Sequence, residues 1–495
     1  MIKKIILWTA IVALVTSCSD YLEVQPKSQV DRDVLFSTQE GFMEALIGIY
    51  VRCTQTDSYG NEVTFGFPDV LAQNYDAVDY SDTYDAAKYQ YQQTLKFNYG
   101  DQYFINRKDA MWLALYNAIA NCNLLLENID EKKNLFNYES DYLLIKGEAI
   151  ALRAYLHFDI YRMFAPAYSV DPEAKVIPYV TTYGKEVTAQ ATGTEILDKA
   201  IADLLAAKEL LRDTDPIRTE GYSIGYPGDV TETEEEGRIF LHNRRHRLNY
   251  YAVCGELARI YLAKNDKPKA LEQALEVINS NKFPWTKKED FNADKEEEKD
   301  RVMYKELLFA WDIAKRSDDL GDRFREDRTR LHCTVPEGGA IFETGSVGGN
   351  DYRFKQWLRE TSSGGSSALY VRKYKRELNN RHPLVAPALR LSEIYYIAAE
   401  ATFDTDPEAA WNYFNKVRYN RGIGQEIHGE ASRDVFITEL LKEARKEFFA
   451  EGQIFYMYKR LNRNLIGMGG ISIPASNQIF VVPMPNDEIA FGQRE

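Results

Sequence analysis

Apolar positions along this chain recur mainly at intervals of three and four residues, the spacing of one face of a helix. Residues Thr38 to Tyr50, TQEGFMEALIGIY, open the first such run, with Ser37 or Thr38 placed to cap it. In AMWLALYNAIANCNLLLENI, residues Trp112, Leu115, Tyr116, Ile119, Cys122 and Leu126 share a face. The next run, DYLLIKGEAIALRAYLHFDIYRMF, aligns Ile145, Ala149, Leu152, Leu156, Ile160 and Phe164, and Ala165-Pro166 ends it. In TGTEILDKAIADLLAAKELL, Thr192 and Glu195 stand at capping-box spacing.

Two later segments repeat one grammar. Glu256 to Ile278 and Tyr395 to Val417 both read as helix, Asp/Pro turn, helix, with small residues such as Ala258, Ala270, Ala398 and Ala409 where helices must approach closely. Such hairpins cannot bury their apolar faces alone, so they stack. The prediction is an all-α dominated chain, an α-solenoid of tetratricopeptide-like helical hairpins, closed by a long helix from about Asp434 to Arg460. Long loop and short-strand insertions at 51–104, 213–247 and 281–384 interrupt it, and KELLFAWDIAK has the character of a strand. Residues 59–104 carry twelve Tyr or Phe with little helical periodicity.

The chain's start departs from this pattern. Lys3-Lys4 precede an apolar run from Ile5 to Val15, too short to span a bilayer, so residues 1–17 read as an export signal. Val15-Thr16-Ser17-Cys18 has the form of a bacterial lipobox, which makes Cys18 the expected lipidation site and first residue of the mature chain. Formal charge is −14, and loss of Lys3 and Lys4 with the leader takes it to −16. That acidity argues against a nucleic-acid binder, which needs clustered Lys and Arg. The other cysteines, Cys53, Cys122, Cys254 and Cys333, lie far apart and form neither a disulfide framework nor a zinc motif, though a single 53–122 or 254–333 bridge stays open. His242 and His246 have metal-like spacing, but only Cys254 is near as a third ligand and Arg244, Arg245 and Arg247 crowd the pair. No metal and no cofactor is expected.

Five blocks in order resemble the SusD/RagB family of outer-membrane nutrient-uptake lipoproteins across nearly the whole mature chain. They are the start from Cys18 through Pro26 to Tyr50; the helix with Trp112, Tyr116, Ile119 and Asn123; Gly147-Glu148-Ala149 with Arg153, Ala154, Tyr155 and Phe158; Leu389 to Ala401 with Arg390, Glu393 and Glu400; and FNKVRYNRG with EARKEFFAEG. VVPMPNDEI resembles the family's closing segment. The chain departs at Ile454 and Met457, where the family usually has Arg and Asp. The resemblance implies one body at 18–495, with halves at about 18–230 and 250–495. It implies a non-catalytic cell-surface protein, lipid-anchored in the outer membrane, that binds oligosaccharide, or alternatively peptide as in the RagB branch. Its implied partner is a SusC-like TonB-dependent transporter, for which it acts as a lid. A surface glycoside hydrolase is the third reading, but no local context marks the two opposed carboxylates it needs.

Flat aromatic faces suit the C–H surfaces of sugar rings, with Asp, Asn and Arg in reach of hydroxyls. QNYDAVDYSDTY supplies this mixture at Tyr75, Asp76, Asp79, Tyr80 and Tyr84, and GNDYRFKQW at Asn350, Tyr352, Arg353 and Trp357. These are the candidate ligand-binding residues. The charged block residues Glu148, Arg153, Glu393, Glu400 and Arg418 read instead as pairs between stacked helices, and no catalytic residue is assigned.

Overall fold

Thr38 caps the first helix as expected, its Oγ1 accepting the Gly41 amide at 3.1 Å. That helix, α1, spans Gln39–Cys53. The computed structural model describes residues 32–75, 91–229, 237–316, 331–363, 366–429 and 432–494, with Leu320 and Phe324. The leader, Cys18, Asp76, Asp79, Tyr80 and Tyr84 lie outside the described residues.

Helices α2 (Gln102–Ile129), α3 (Glu139–Phe164), α4 (Gly193–Leu211), α5 (Tyr250–Ala263) and α6 (Lys267–Ser280) follow. After a short helix α7 (Tyr352–Trp357) come α8 (Leu391–Thr402), α9 (Pro407–Asn420), α10 (Arg433–Glu447) and α11 (Ile454–Arg460). From α1 to α6 each helix packs on its successor, α6 packs on α8 and α8 on α9, so the hairpins stack into a solenoid. The Thr192–Glu195 capping box starts α4. Asp266 and Asp406 cap α6 and α9, each followed by a proline within the first two positions, where its missing N–H costs nothing.

The expected strand is β3 (Leu307–Asp312), paired antiparallel with β7 (Val385–Arg390). Both strands are buried along nearly their whole length. Strand β5 (Leu358–Ser363) forms a hairpin with β6 (Ser366–Val371), and β4 (His332–Thr334) joins the other edge of β6. Two-stranded pairs β1 (Lys175–Pro178) with β2 (Gln190–Thr192), and β8 (Leu465–Ile466) with β9 (Ser472–Ile473), complete the strands described.

Much of the tyrosine content is core. Trp311 of β3 stacks on Tyr59 at 4.3 Å and meets Tyr155 edge-on at 5.8 Å. Tyr59, Phe65, Phe67 and Tyr91 of the first insertion are all buried.

The single long helix expected from Asp434 to Arg460 is instead two. Ala450 and Gly452 adopt left-handed φ values of 61° and 73° and break it. Side chains satisfy the carbonyls freed at the break: Lys373 Nζ donates to Phe449 O (3.0 Å) and Tyr374 Oη to Ala450 O (2.7 Å). The Gly452 amide donates to Asp69 (2.9 Å).

The charged block residues are paired. Glu148 accepts from Tyr50, Arg244 and Arg247 at 2.9, 2.6 and 2.8 Å. Arg153 pairs with Asp203, Glu393 with Arg259, Glu400 with Arg460 and Arg418 with Glu443. Cys53, Cys122, Cys254 and Cys333 are separate buried thiols, so neither bridge left open by the sequence forms.

Candidate functional site

The described candidate residues divide sharply by burial. Tyr75 is fully buried: its hydroxyl donates to Asp69 (3.0 Å) and its ring meets Phe449 edge-on. Arg353 is equally buried and spends its guanidinium on Asp351, Glu443 and Glu447 at 2.7 to 3.0 Å. Trp357 is buried too, with Nε1 donating to Arg301 O (2.7 Å) and the Lys373 ammonium 3.7 Å from its ring. These three face the core and are out of reach of a surface ligand in this structure. Each lies where a loop closes onto the helices, and anchoring the loop takes the same large side chains that a sugar site would. Asn350 is exposed and Tyr352 half-buried.

Tyr352 lines a cleft of about 460 Å³ with Trp285, Lys288, Glu289, Tyr419, Asn420 and Gly422. Its three rings come from three places. Trp285 stands in the loop after α6, Tyr352 is the first residue of α7, and Tyr419 lies in the last turn of α9. Asp351 caps α7, accepting the Arg353 amide at 2.9 Å, and so fixes the direction in which Tyr352 leaves the backbone. Tyr419 is 68% exposed on an otherwise polar face beside Asn412 and Lys416. Gly422 follows α9 at φ +84°, the left-handed conformation that ends many helices. A Cβ there would sit 2.6 Å from the Tyr352 ring, so only glycine lets that ring lie against the chain.

Beneath the cleft lies a dense set of buried charges. Arg421 donates to Glu447 (2.7 and 2.9 Å) and to Glu306 (2.6 and 3.0 Å). Burial opposes the Arg421 charge, but Glu306 and Glu447 outweigh it and hold the guanidinium above its usual range. Burial would likewise raise Glu447, yet Arg421, Arg390 and Arg353 keep it well below the ordinary carboxylate range. Arg421 and Glu447 stay ionised under the rings.

Aromatic faces beside Asn420, Lys288 and Glu289 can stack on apolar ring faces and exchange hydrogen bonds with hydroxyls. Trp285, Tyr419 and Asn420 escaped the sequence reading. The signal for Tyr419 was an aromatic residue on the polar face of an amphipathic helix; for Trp285 it was a lone ring between Pro284 and Lys287-Lys288 in a loop.

Two other hollows are described. One, between α3, α5, α8 and α11, is small, about 80 Å³; ion pairs such as Arg259–Glu393 and Arg460–Glu400 line it, and Lys459 donates to the carbonyls of Arg162 and Met163. The other, about 900 Å³, lies between the outer face of α1 at Ile47 and Val51 and the turn at Ile239-Phe240, with His242 and His246 on its rim. His242 Nε2 contacts Gly237 O and His246 Nε2 contacts Tyr304 Oη, at 3.2 and 3.0 Å.

Residues 20–219 match a family described as "Starch-binding associating with outer membrane", and residues 338–479 match the SusD family. The chain is 23% identical to SusD-like protein P2 of Formosa agariphila, covering 97% of this chain and 96% of the relative. Its fold is similar to a SusD-like carbohydrate binding protein from Bacteroides vulgatus, with a TM-score of 0.70 at 19% identity over 92% of this chain and 97% of that one. A putative sugar binding protein from the same species gives a TM-score of 0.70 at 22% identity over 92% and 98%.

Proposed function

Because this chain belongs to the SusD family, we propose that it is a non-catalytic binding protein for oligosaccharide at the outer membrane. The observation that carries the reading is the cleft of Trp285, Tyr352 and Tyr419, three rings from separate elements converging beside Asn420, Lys288 and Glu289. Such a mixture serves carbohydrate, whose rings offer a C–H face to stack on and hydroxyls to bond. Affinity is modest, since each hydroxyl exchanges water for protein at little net gain. Among the described residues Glu289 is the single carboxylate lining the cleft, whereas glycoside hydrolysis uses two.

The same reading places the protein on a SusC-like TonB-dependent transporter, as its lid, held at the membrane by acyl chains on Cys18. Among the described residues no helix is long and apolar enough to cross a membrane. Each buried methylene of an acyl chain contributes about 0.8 kcal/mol, so several chains on one cysteine anchor firmly. Fractionating cells that express Cys18→Ala tests the tether: the variant should leave the membrane fraction, and retention there contradicts it. Titration of the purified protein against an oligosaccharide panel, with reducing ends assayed in parallel, tests the ligand and the absence of hydrolysis together.

A further inference from the structure

Both walls of the cleft trace back to one buried pair. Glu306 Oε1 accepts the Thr286 amide at 2.8 Å, which fixes the backbone directly after Trp285. Arg421 offers its carbonyl to the Tyr352 amide at 2.9 Å, which fixes the opposite wall. The Arg421 guanidinium also lies 5.3 Å from the centre of the Trp285 ring, within the range of a cation–π contact. The two residues meet through a bidentate pair at 2.6 and 3.0 Å, and neither is exposed. Tyr419 is two residues before Arg421 on the same chain, and Gly422 is the seat of the Tyr352 ring. Trp285, Tyr352 and Tyr419 are far apart in sequence, so their spacing depends on whatever joins the three segments. Arg421 and Glu306 bond to all three segments, whereas the ring contacts of Trp285 with Tyr395 and of Tyr395 with Tyr413 link only the Trp285 loop to α9.

We propose that the Arg421–Glu306 pair is the positioning element of the cleft, setting the distance between Trp285 and Tyr352 and so the ring width that the site accepts. A planar guanidinium held bidentately by two carboxylates has one orientation. Its carbonyl and its ring contact are therefore held in register with each other. An ammonium on a flexible stem carries the same charge without that register. Neither residue touches the ligand; both act through the rings. A site of this kind loses affinity when its supporting groups loosen by an ångström, even with every contacting side chain present.

This inference rests on the cleft being the ligand site, and the experiment separates the two. Full-length mature protein is labelled with 5-fluorotryptophan, and the Trp285 fluorine resonance is assigned with Trp285→Phe. Glu306→Gln keeps the volume and removes the charge; Arg421→Lys keeps the charge and removes the fork. The control is Arg153→Lys, in the distant Arg153–Asp203 pair. Both cleft variants should shift or broaden the Trp285 resonance and weaken the best-binding oligosaccharide of the panel at least tenfold. Arg153→Lys, at a similar loss of melting temperature, should change neither. A Trp285 resonance at its wild-type position in both cleft variants overturns the proposal, as does an affinity loss that Arg153→Lys reproduces. If the wild-type protein binds no oligosaccharide, the functional reading fails, while the resonance still decides the positioning role. Should Glu306→Gln fail to fold, Arg421→Lys alone carries the decision.

Discussion

Arg244 directs Nη1 to Glu148 Oε1 at 2.6 Å, and neither side chain is exposed. The same guanidinium donates to both oxygens of Asp215, and Arg247 and Tyr50 share the other oxygen of Glu148. Glu148 lies in the sequence block most specific to the family, and its carboxylate is spent on Tyr50, Arg244 and Arg247, contacts that join separate segments of the buried core. Glu148→Ala leaves two buried arginines short of a counter-charge and should cost about 3–5 kcal/mol. Urea unfolding measures it. Glu148→Gln, which keeps the shape and one acceptor, should cost less.

Burial separates the rings that hold the fold from those that serve the cleft. Trp357 fills a closed space, so Trp357→Ala should cost about 3–5 kcal/mol. Tyr419 is mostly exposed, and Tyr419→Ala should change stability by no more than about 0.5 kcal/mol. Thermal unfolding of the two variants checks the contrast. A ligand assay then reads Tyr419→Ala without interference from misfolding.

His157 gives a pH dependence with a definite sign. Its Nε2 accepts the Val180 amide (2.9 Å), so Nδ1 carries the proton and donates to Arg153 O (2.8 Å). Burial disfavours the imidazolium and pushes the pKa from 6.5 down to about 3. As pH falls below 6.5 the unfolded chain gains a proton that the folded protein does not take up until about 3. Stability from neutral His157 is therefore complete above 6.5 and is lost across that window, by up to about 1.4 kcal/mol per pH unit. Burial raises Asp69 and Glu256 to about 7, and these act in the opposite sense in the same range. The difference between wild type and His157→Gln isolates the histidine. Denaturant titrations at pH 7 and pH 5 should show the variant losing less stability than the wild type.

Gly452 sets the break between α10 and α11. At φ +73° a side chain is strained, and a Cβ would stand 2.7 Å from Thr64 O. Gly452→Ala should destabilise by more than about 1 kcal/mol. A lowered melting temperature with an unchanged far-ultraviolet spectrum is the expected result.

The helical body was legible because its signals are local. Thr38, Asp266, Asp406 and the Thr192–Glu195 box each announce a helix start from residues within one turn. The break at Ala450 and Gly452 was not legible, since the apolar period runs on through it. Its cause is the seat that Asp69, Lys373 and Tyr374 provide from distant parts of the chain. The site was harder for the same reason. Composition marked Tyr352 and Trp357 alike, and only the fold tells that one lines a cleft while the other plugs a gap under Arg301. Trp285 and Tyr419 have little local context of their own, and only the fold brings them beside Tyr352.

The most direct measurement is calorimetric titration of the wild-type protein and of a Trp285→Ala, Tyr419→Ala double variant against the same oligosaccharide panel. Trp285 lines the cleft from the loop after α6 and Tyr419 from the last turn of α9, and neither is fully buried. The wild type should bind at least one oligosaccharide saturably, and the double variant, its melting transition kept, should lose at least tenfold in affinity. Binding of equal strength by the folded double variant would contradict the cleft as the ligand site.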